Sequence, residues 1–143
     1  MSRTIRRATL LAVVLCLVGA ASAQAALIRF ATPSRNIGCI AETGKFIRCD
    51  ISQSAGTRPP RPRSCQLDWG NAFGVERRSA RGHGICAGDT ALPGPRERIR
   101  IAAYGTTVRV GNGLRCLSQT TGLTCRNLAG HGFFLSKQRI RVF

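Results

Sequence analysis

The sequence predicts a small all-β domain, an antiparallel sandwich or barrel built from hairpins and held together by disulfides. Three observations predict it: apolar residues alternate with polar ones at every second position, cysteines bracket short hairpin-like segments, and 16 glycines provide turns. With 143 residues, 43% of them hydrophobic, the chain has room for one packed domain. This size and pattern exclude a multidomain enzyme, a coiled coil and a polytopic membrane protein.

Residues 1–23 have the organisation of a secretory signal peptide. A start with three arginines precedes an apolar run over residues 10–18, and small residues then lead to possible cleavage sites after Ala23 or Ala25. The alternative is a membrane anchor, but the strongly apolar run is shorter than the roughly 18 residues that a span needs. We therefore expect a protein that is secreted or associated with the cell envelope, with residues 24–143 forming a single all-β domain.

Removal of the signal peptide changes the cysteine count from seven to six. An even number of cysteines in a small exported domain is typical of a disulfide framework. The chain has no C-x-x-C pair and no clustered histidines of the kind that bind zinc, so we expect no metal and no other cofactor. Directly opposed positions of an antiparallel hairpin suit disulfide geometry. The local pattern favours three pairs: Cys39 with Cys49, Cys116 with Cys125 and, for the remaining two, Cys65 with Cys86.

The alternation of apolar and polar residues predicts the strands and their inward faces. Residues 52–64 interrupt this pattern with a run of prolines and arginines, which predicts an extended surface loop because proline cannot donate a ladder hydrogen bond. A second break falls at residues 93–95. The side chains predicted to face the core are Phe30, Ile37, Ile47, Ile51, Ile99, Ile101, Val108, Val110, Leu114, Ile140 and Val142.

Several short motifs follow one another along the chain: TPSRNIGC at 32–39, RCDI at 48–51, CAGDT at 86–90 and GHGFFLS at 130–136. In order and spacing they resemble an uncharacterised family of small exported bacterial proteins with six cysteines, a domain of unknown function. One departure is Arg35, where that family usually has glycine. The resemblance implies the fold and export, and it implies no activity.

Two histidines could support an enzymatic alternative. His83 and His131 each lie in a Gly-His-Gly triplet, and two histidines with a cationic side chain can cleave a phosphodiester by acid–base catalysis. The other interpretation is that both are turn residues. Asp89 is a further candidate in the same possible functional loops, although an Asx turn is the commoner role for aspartate after glycine. We expect a non-enzymatic protein, with a basic secreted nuclease or a protease-inhibitor-like scaffold presenting residues 58–63 as alternatives.

The excess of basic residues suggests an anionic partner. The formal net charge is +16, and loss of the signal peptide leaves 19 basic against six acidic residues. If the arginine-bearing strands are neighbours, their polar faces form one basic surface for an envelope polymer, an acidic membrane surface or nucleic acid. A charged strand face is also what keeps many proteins soluble. The candidate polyanion-binding residues are Arg98, Arg100, Arg109, Arg139 and Arg141.

Overall fold

The computed structural model describes residues 26–143, which form two β-sheets packed face to face. These residues contain no helix, and so none that is long and apolar enough to cross a membrane. The all-β fold and its predominantly antiparallel pairing are as the sequence predicts. The predicted signal peptide and its cleavage sites lie outside the described residues.

Sheet A contains the first six strands. They are β1 (Leu27–Ala31), β2 (Ile37–Glu42), β3 (Phe46–Ile51), β4 (Asp68–Glu76), β5 (His83–Ala87) and β6 (Arg100–Ile101). Their spatial order is β5-β4-β3-β2-β1-β6. All neighbours are antiparallel except β1 and β6, which run parallel.

Sheet B contains the last five strands and is antiparallel throughout. They are β7 (Thr107–Gly111), β8 (Leu114–Gln119), β9 (Gly122–Arg126), β10 (Gly132–Leu135) and β11 (Ile140–Val142). Their spatial order is β11-β10-β9-β8-β7, so β7 and β11 are the two edges. Each strand buries alternate residues against sheet A and turns the others outward.

The hydrophobic core lies between the sheets, where the rings of Phe73 and Phe133 approach to 6.4 Å between centroids. Of the predicted core residues, Ile140 and Val142 are partly buried against it, and the following are fully or almost fully buried: Phe30, Ile37, Ile47, Ile51, Val108, Val110 and Leu114.

The predicted inward face of β6 is wrong. Ile101 is 43% exposed and Ile99 is half-buried outside the strand, whereas Ala102 is 2% exposed. The N–H of Ala102 donates to the carbonyl of Ala31 at 2.8 Å, and its carbonyl accepts from the Ser118 hydroxyl at 2.9 Å. Because these bonds fix Ala102 inward, the alternation along an extended chain turns Ile101 outward.

The disulfide pairing favoured by the sequence is the pairing in the structure. Cys39–Cys49 joins opposed residues of β2 and β3, and Cys116–Cys125 joins opposed residues of β8 and β9. All four of these cysteines point into the core, where the Sγ atoms of Cys49 and Cys125 are 3.7 Å apart.

The third disulfide, Cys65–Cys86, ties the end of the proline-rich loop to β5. Residues 52–64 contain no strand, as predicted. The loop is also bonded to β4, because the Trp69 indole donates a hydrogen bond to the carbonyl of Pro59 at 2.8 Å.

Candidate functional site

Three arginines form a line across the outer face of sheet B. Because Cys116 and Cys125 point inward, their neighbours Arg115 and Arg126 point outward. The strand register sets Arg109 of β7 opposite Arg115 of β8, and Arg115 opposite Arg126 of β9. Adjacent strands lie about 4.8 Å apart, so three successive strands each carry an arginine at the same level. We call these three residues the arginine row.

The row continues into an aromatic edge made by β10 and β11. Arg126 lies opposite Gly132, and Gly132 exchanges two backbone hydrogen bonds with Phe143 at 2.7 and 2.9 Å. The guanidinium carbons of Arg126 and Arg141 are 6.0 and 5.0 Å from the centroid of the Phe143 ring. At these distances a cation–π interaction attracts each guanidinium group to the Phe143 ring and keeps it over the sheet.

A second arginine–aromatic pair lies on the same face. The guanidinium carbon of Arg139 is 5.2 Å from the ring centroid of Phe134, which points outward from β10. Arg109, Arg139 and Arg141 are exposed, and Arg115 and Arg126 are half-buried. We call this outer surface of sheet B the basic face; its members are Arg109, Arg115, Arg126, Arg139, Arg141, Phe134 and Phe143.

No acidic side chain neutralises the basic face. All six acidic residues of the chain precede residue 98, and residues 98–143 carry eight basic residues. Within residues 26–143, the ion pairs involve Arg29, Lys45 and Arg48, the His83 ring adjoins Glu76, and none of these contacts involves the basic face. Like charges directly opposite one another generally destabilise a sheet, so we expect the arginine row to cost stability in the free protein.

The five predicted arginines divide between the two sheets. Arg109, Arg139 and Arg141 belong to the basic face, whereas Arg98 and Arg100 lie at the β6 edge of sheet A. The structure therefore does not bring all five together, because β6 pairs with β1 and not with a strand of sheet B.

Two arginines that were not predicted from the sequence connect the others. Arg115 and Arg126 stand beside the cysteines that close the last hairpin, and an inward disulfide forces its flanking residues outward. Opposed cysteines also fix the strand register. The predicted disulfide therefore implied that Arg115 and Arg126 lie opposite each other.

The two Gly-His-Gly triplets meet through their backbones. A Cβ placed on Gly82 would lie 2.0 Å from the carbonyl oxygen of Gly132, so glycine is required there. The His83 ring lies at the outer face of sheet A, with its Nε2 3.4 Å from a carboxylate oxygen of Glu76. The backbone N–H of His131 donates to the side-chain oxygen of Asn127 at 3.1 Å.

Asp89 belongs to a separate charged group at the other end of β5. Its carboxylate and carbonyl both accept from the Arg48 guanidinium at 2.7 Å, and Arg48 also bonds the buried carboxylate of Asp50. The predicted Asx turn is wrong, because the N–H of Ala91 donates to Asp50 instead.

These contacts shift two pKa values. Hydrogen bonding to Arg48 lowers the pKa of Asp89 below its ordinary value. The hydrogen bond to Asp50 is the main reason that the pKa of Arg48 is raised. Both shifts favour the ionised forms of Arg48 and Asp89, and their contact ties the chain after β5 to the surface of sheet A.

One set of potential metal ligands is close together within residues 26–143. The Sγ atoms of Cys39, Cys49 and Cys125 lie within 4.8 Å of one another. All three sulfurs are in disulfides and lack the thiolate charge that binds a metal. This set is therefore part of the core.

The loop considered as an inhibitor segment is tied to the fold. Arg58 bonds Asn71, and Arg61 donates to the carbonyls of Cys65 and Leu67 at 2.9–3.2 Å. Two of its three arginines are thereby turned back onto the domain.

Together these features define a small all-β sandwich with three internal disulfides and a basic outer face on one sheet. Three disulfides in so small a domain are typical of extracytoplasmic proteins. The model of the family of unknown function DUF6636 matches residues 9–143, and the chain belongs to this family. No curated protein and no solved structure matches the chain.

Proposed function

We propose that this is an exported, non-enzymatic protein that binds a polyanion on the basic face. The observation that supports this most directly is the arginine row, in which three cations face one another across adjacent strands without an acidic side chain. Guanidinium groups bind phosphate, sulfate and carboxylate through paired N–H donors. An anionic polymer would offset the repulsion among the three arginines and would accept a charge-assisted hydrogen bond from each of them.

Export would place this face among extracytoplasmic polymers. The N-terminal signal-like segment and the disulfides support that location. Binding would depend on charge spacing along a flat sheet, so affinity would fall steeply with salt.

The test titrates the oxidised protein with single-stranded RNA and with heparin at several salt concentrations. One variant replaces the arginine row by Arg109→Gln, Arg115→Gln and Arg126→Gln. The matched control removes the same charge from the β6 end of sheet A through the exposed residues Arg96, Arg98 and Arg100, each changed to glutamine.

We expect the row variant to reduce the slope of log affinity against log salt for RNA by about 2, because each lost contact removes roughly 0.7. The control should retain most of the wild-type slope. Equal effects of the two variants would show that net charge acts without a defined face, and absence of binding at low salt would reject the proposal.

The same titration tests the nuclease alternative, which the backbone contact between the two histidine triplets favours. If the protein cleaves the RNA and His131→Ala abolishes cleavage, a nuclease replaces the binding protein proposed here. Intact RNA throughout the titration leaves the binding proposal in place.

A further inference from the structure

A polar cleft of about 240 Å³ lies where turns of the two sheets meet. The turn between β1 and β2 contributes Thr32, Ser34 and Asn36 to one wall. Ile37 and Ser136 also line the cleft, and six more side chains come from the β6–β7, β8–β9 and β10–β11 connections and the end of β8. They are Tyr104, Gln119, Thr120, Thr121, Lys137 and Gln138.

The second set of side chains is available to a ligand. Within residues 26–143, these six make no side-chain hydrogen bond to the protein, and the Tyr104 residue is 44% exposed. The first wall differs, because the hydroxyls of Thr32 and Ser34 are 3.3 Å apart and the Asn36 amide donates to the Gln53 carbonyl at 3.0 Å. The cleft thus combines a fixed wall with free polar groups.

The chemistry of the free groups matches a sugar with an acid group. Hydroxyl and amide side chains both donate and accept hydrogen bonds, as the hydroxyls of a pyranose do. An exposed aromatic ring such as Tyr104 offers an apolar surface to the C–H face of the sugar ring. Lys137 adds a cation, and no carboxylate lines the cleft.

The cleft is continuous with the basic face. Thr121, Ser136 and Gln138 line both the cleft and a neighbouring open groove that also contains Phe134 and Arg139. A chain seated in the cleft therefore passes over Gln138 directly onto the Arg139–Phe134 pair.

We infer that the polyanion is an acidic polysaccharide, with one sugar in the polar cleft and the following acidic sugars along the basic face. The inference rests on the proposed function and specifies its ligand. Nucleic acid fits less well, because base stacking needs free aromatic faces near cations, and arginines lie over the rings of Phe134 and Phe143. The exposed ring of Tyr104 shares its cleft with a single cation, Lys137, and otherwise with hydroxyl and amide groups.

The test compares three probes on the oxidised protein: an oligogalacturonate, inorganic polyphosphate of similar charge, and oligothymidylate. The cleft variant combines Tyr104→Ala with Gln138→Ala. The matched control combines Leu67→Ala with Gln66→Ala, which removes an exposed apolar and an exposed amide side chain beside β4 of sheet A.

We expect the cleft variant to weaken oligogalacturonate binding about tenfold, because it loses a hydrogen-bonding group and an aromatic surface. Polyphosphate affinity should stay within about twofold of wild type, since it depends on charge, and this also shows that the variant is folded. The control should bind both probes normally.

Two outcomes overturn the inference and leave the proposed function standing: an unchanged oligogalacturonate affinity in the cleft variant, or an equal loss for polyphosphate. A loss confined to oligothymidylate would assign the cleft to nucleic acid. If the arginine-row variant binds every probe as wild type does, the proposed function itself fails.

Discussion

Arg35 shows how one residue can keep a conformation that glycine would adopt more easily. Its φ is 57°, in the left-handed region, and its N–H donates to the Thr32 carbonyl at 2.8 Å. Its guanidinium donates to the carbonyls of Gly94 and Glu97 at 2.8 and 3.1 Å. These long-range bonds offset the conformational cost and fasten the β1–β2 turn to the segment before β6.

This balance predicts the relative stability of two variants. Arg35→Ala loses both guanidinium bonds and keeps the strained backbone, whereas Arg35→Gly loses the same bonds and relieves the strain. We expect the glycine variant to unfold with a free energy about 1 kcal/mol above that of the alanine variant, as measured by urea denaturation. Equal stabilities would show that the left-handed backbone carries no cost here.

Asn127 is a buried polar residue that joins the two sheets. Its side-chain N–H groups donate to the carbonyls of Glu76 and Ser79 at 3.2 and 2.8 Å, and its oxygen accepts from His131. The Asn127 side chain is fully buried, whereas its partners are exposed or half-buried, and the Glu76 carbonyl also accepts from the N–H and hydroxyl of Ser79.

We therefore expect Asn127→Leu to lower the free energy of unfolding by about 1–3 kcal/mol, since three side-chain hydrogen bonds between the sheets are lost. Asn127→Asp should also destabilise the protein at neutral pH, because a carboxylate would face two carbonyl oxygens. Urea denaturation of both variants measures these effects. A loss below about 1 kcal/mol for the leucine variant would mean that water or rearrangement satisfies these groups.

At the scale of elements, local pairing was predictable from the sequence and distant pairing was not. Cysteines and glycine turns specify the β2–β3 and β8–β9 hairpins, because the bonded residues are close along the chain. The position of β6 depends on β1, some 70 residues away, and no local pattern encodes that parallel contact. The same limit applies to the candidate site. Alternation identified outward arginines, and sheet order decided which of them are neighbours.

The disulfides also differ in what surrounds them, which predicts their relative contributions. By chain entropy alone, the nine-residue separation of Cys116–Cys125 gives about 2.5 kcal/mol and the 21-residue separation of Cys65–Cys86 about 3.3 kcal/mol. Burial reverses this order. Both sulfurs of the first pair are in the core, whereas Cys86 is exposed.

Replacing both cysteines of a pair by alanine should therefore destabilise the protein more for Cys116–Cys125 than for Cys65–Cys86. Thermal and urea unfolding of the two double variants, each with the other disulfides oxidised, measure the difference. A larger loss for Cys65–Cys86 would show that loop closure outweighs packing in this fold.

At the scale of the whole molecule, the charges are divided between the two sheets. Every acidic residue lies before residue 98, so sheet A and its loops contain all the acidic side chains and sheet B contains none. The net charge of the chain does not show that the acidic residues are confined to sheet A and its loops. Their positions in the sequence show it once the strands of each sheet are known.

This division makes the stability of the free protein depend on salt through sheet B. Arg115 is the middle member of the arginine row and faces a like charge on both sides. Arg115→Gln should raise the free energy of unfolding by about 0.5–1 kcal/mol at low ionic strength. The gain should shrink as salt approaches 1 M, where the screening length falls to about 3 Å.

Arg98→Gln is the matched control, since Arg98 is exposed and lies before β6 of sheet A, where Glu97 is its neighbour in sequence. It should change stability little at any salt concentration. Urea denaturation at low and high salt separates the two variants. If Arg115→Gln destabilises the protein at low salt, the packing of Arg115 outweighs the repulsion within the row. Relief of that repulsion would then contribute nothing to the binding of an anion. Suppose instead that Arg115→Gln stabilises the protein at low salt. Added polyphosphate should then stabilise the wild type more than the variant and cancel this difference, because a ligand that binds the row stabilises the folded wild type.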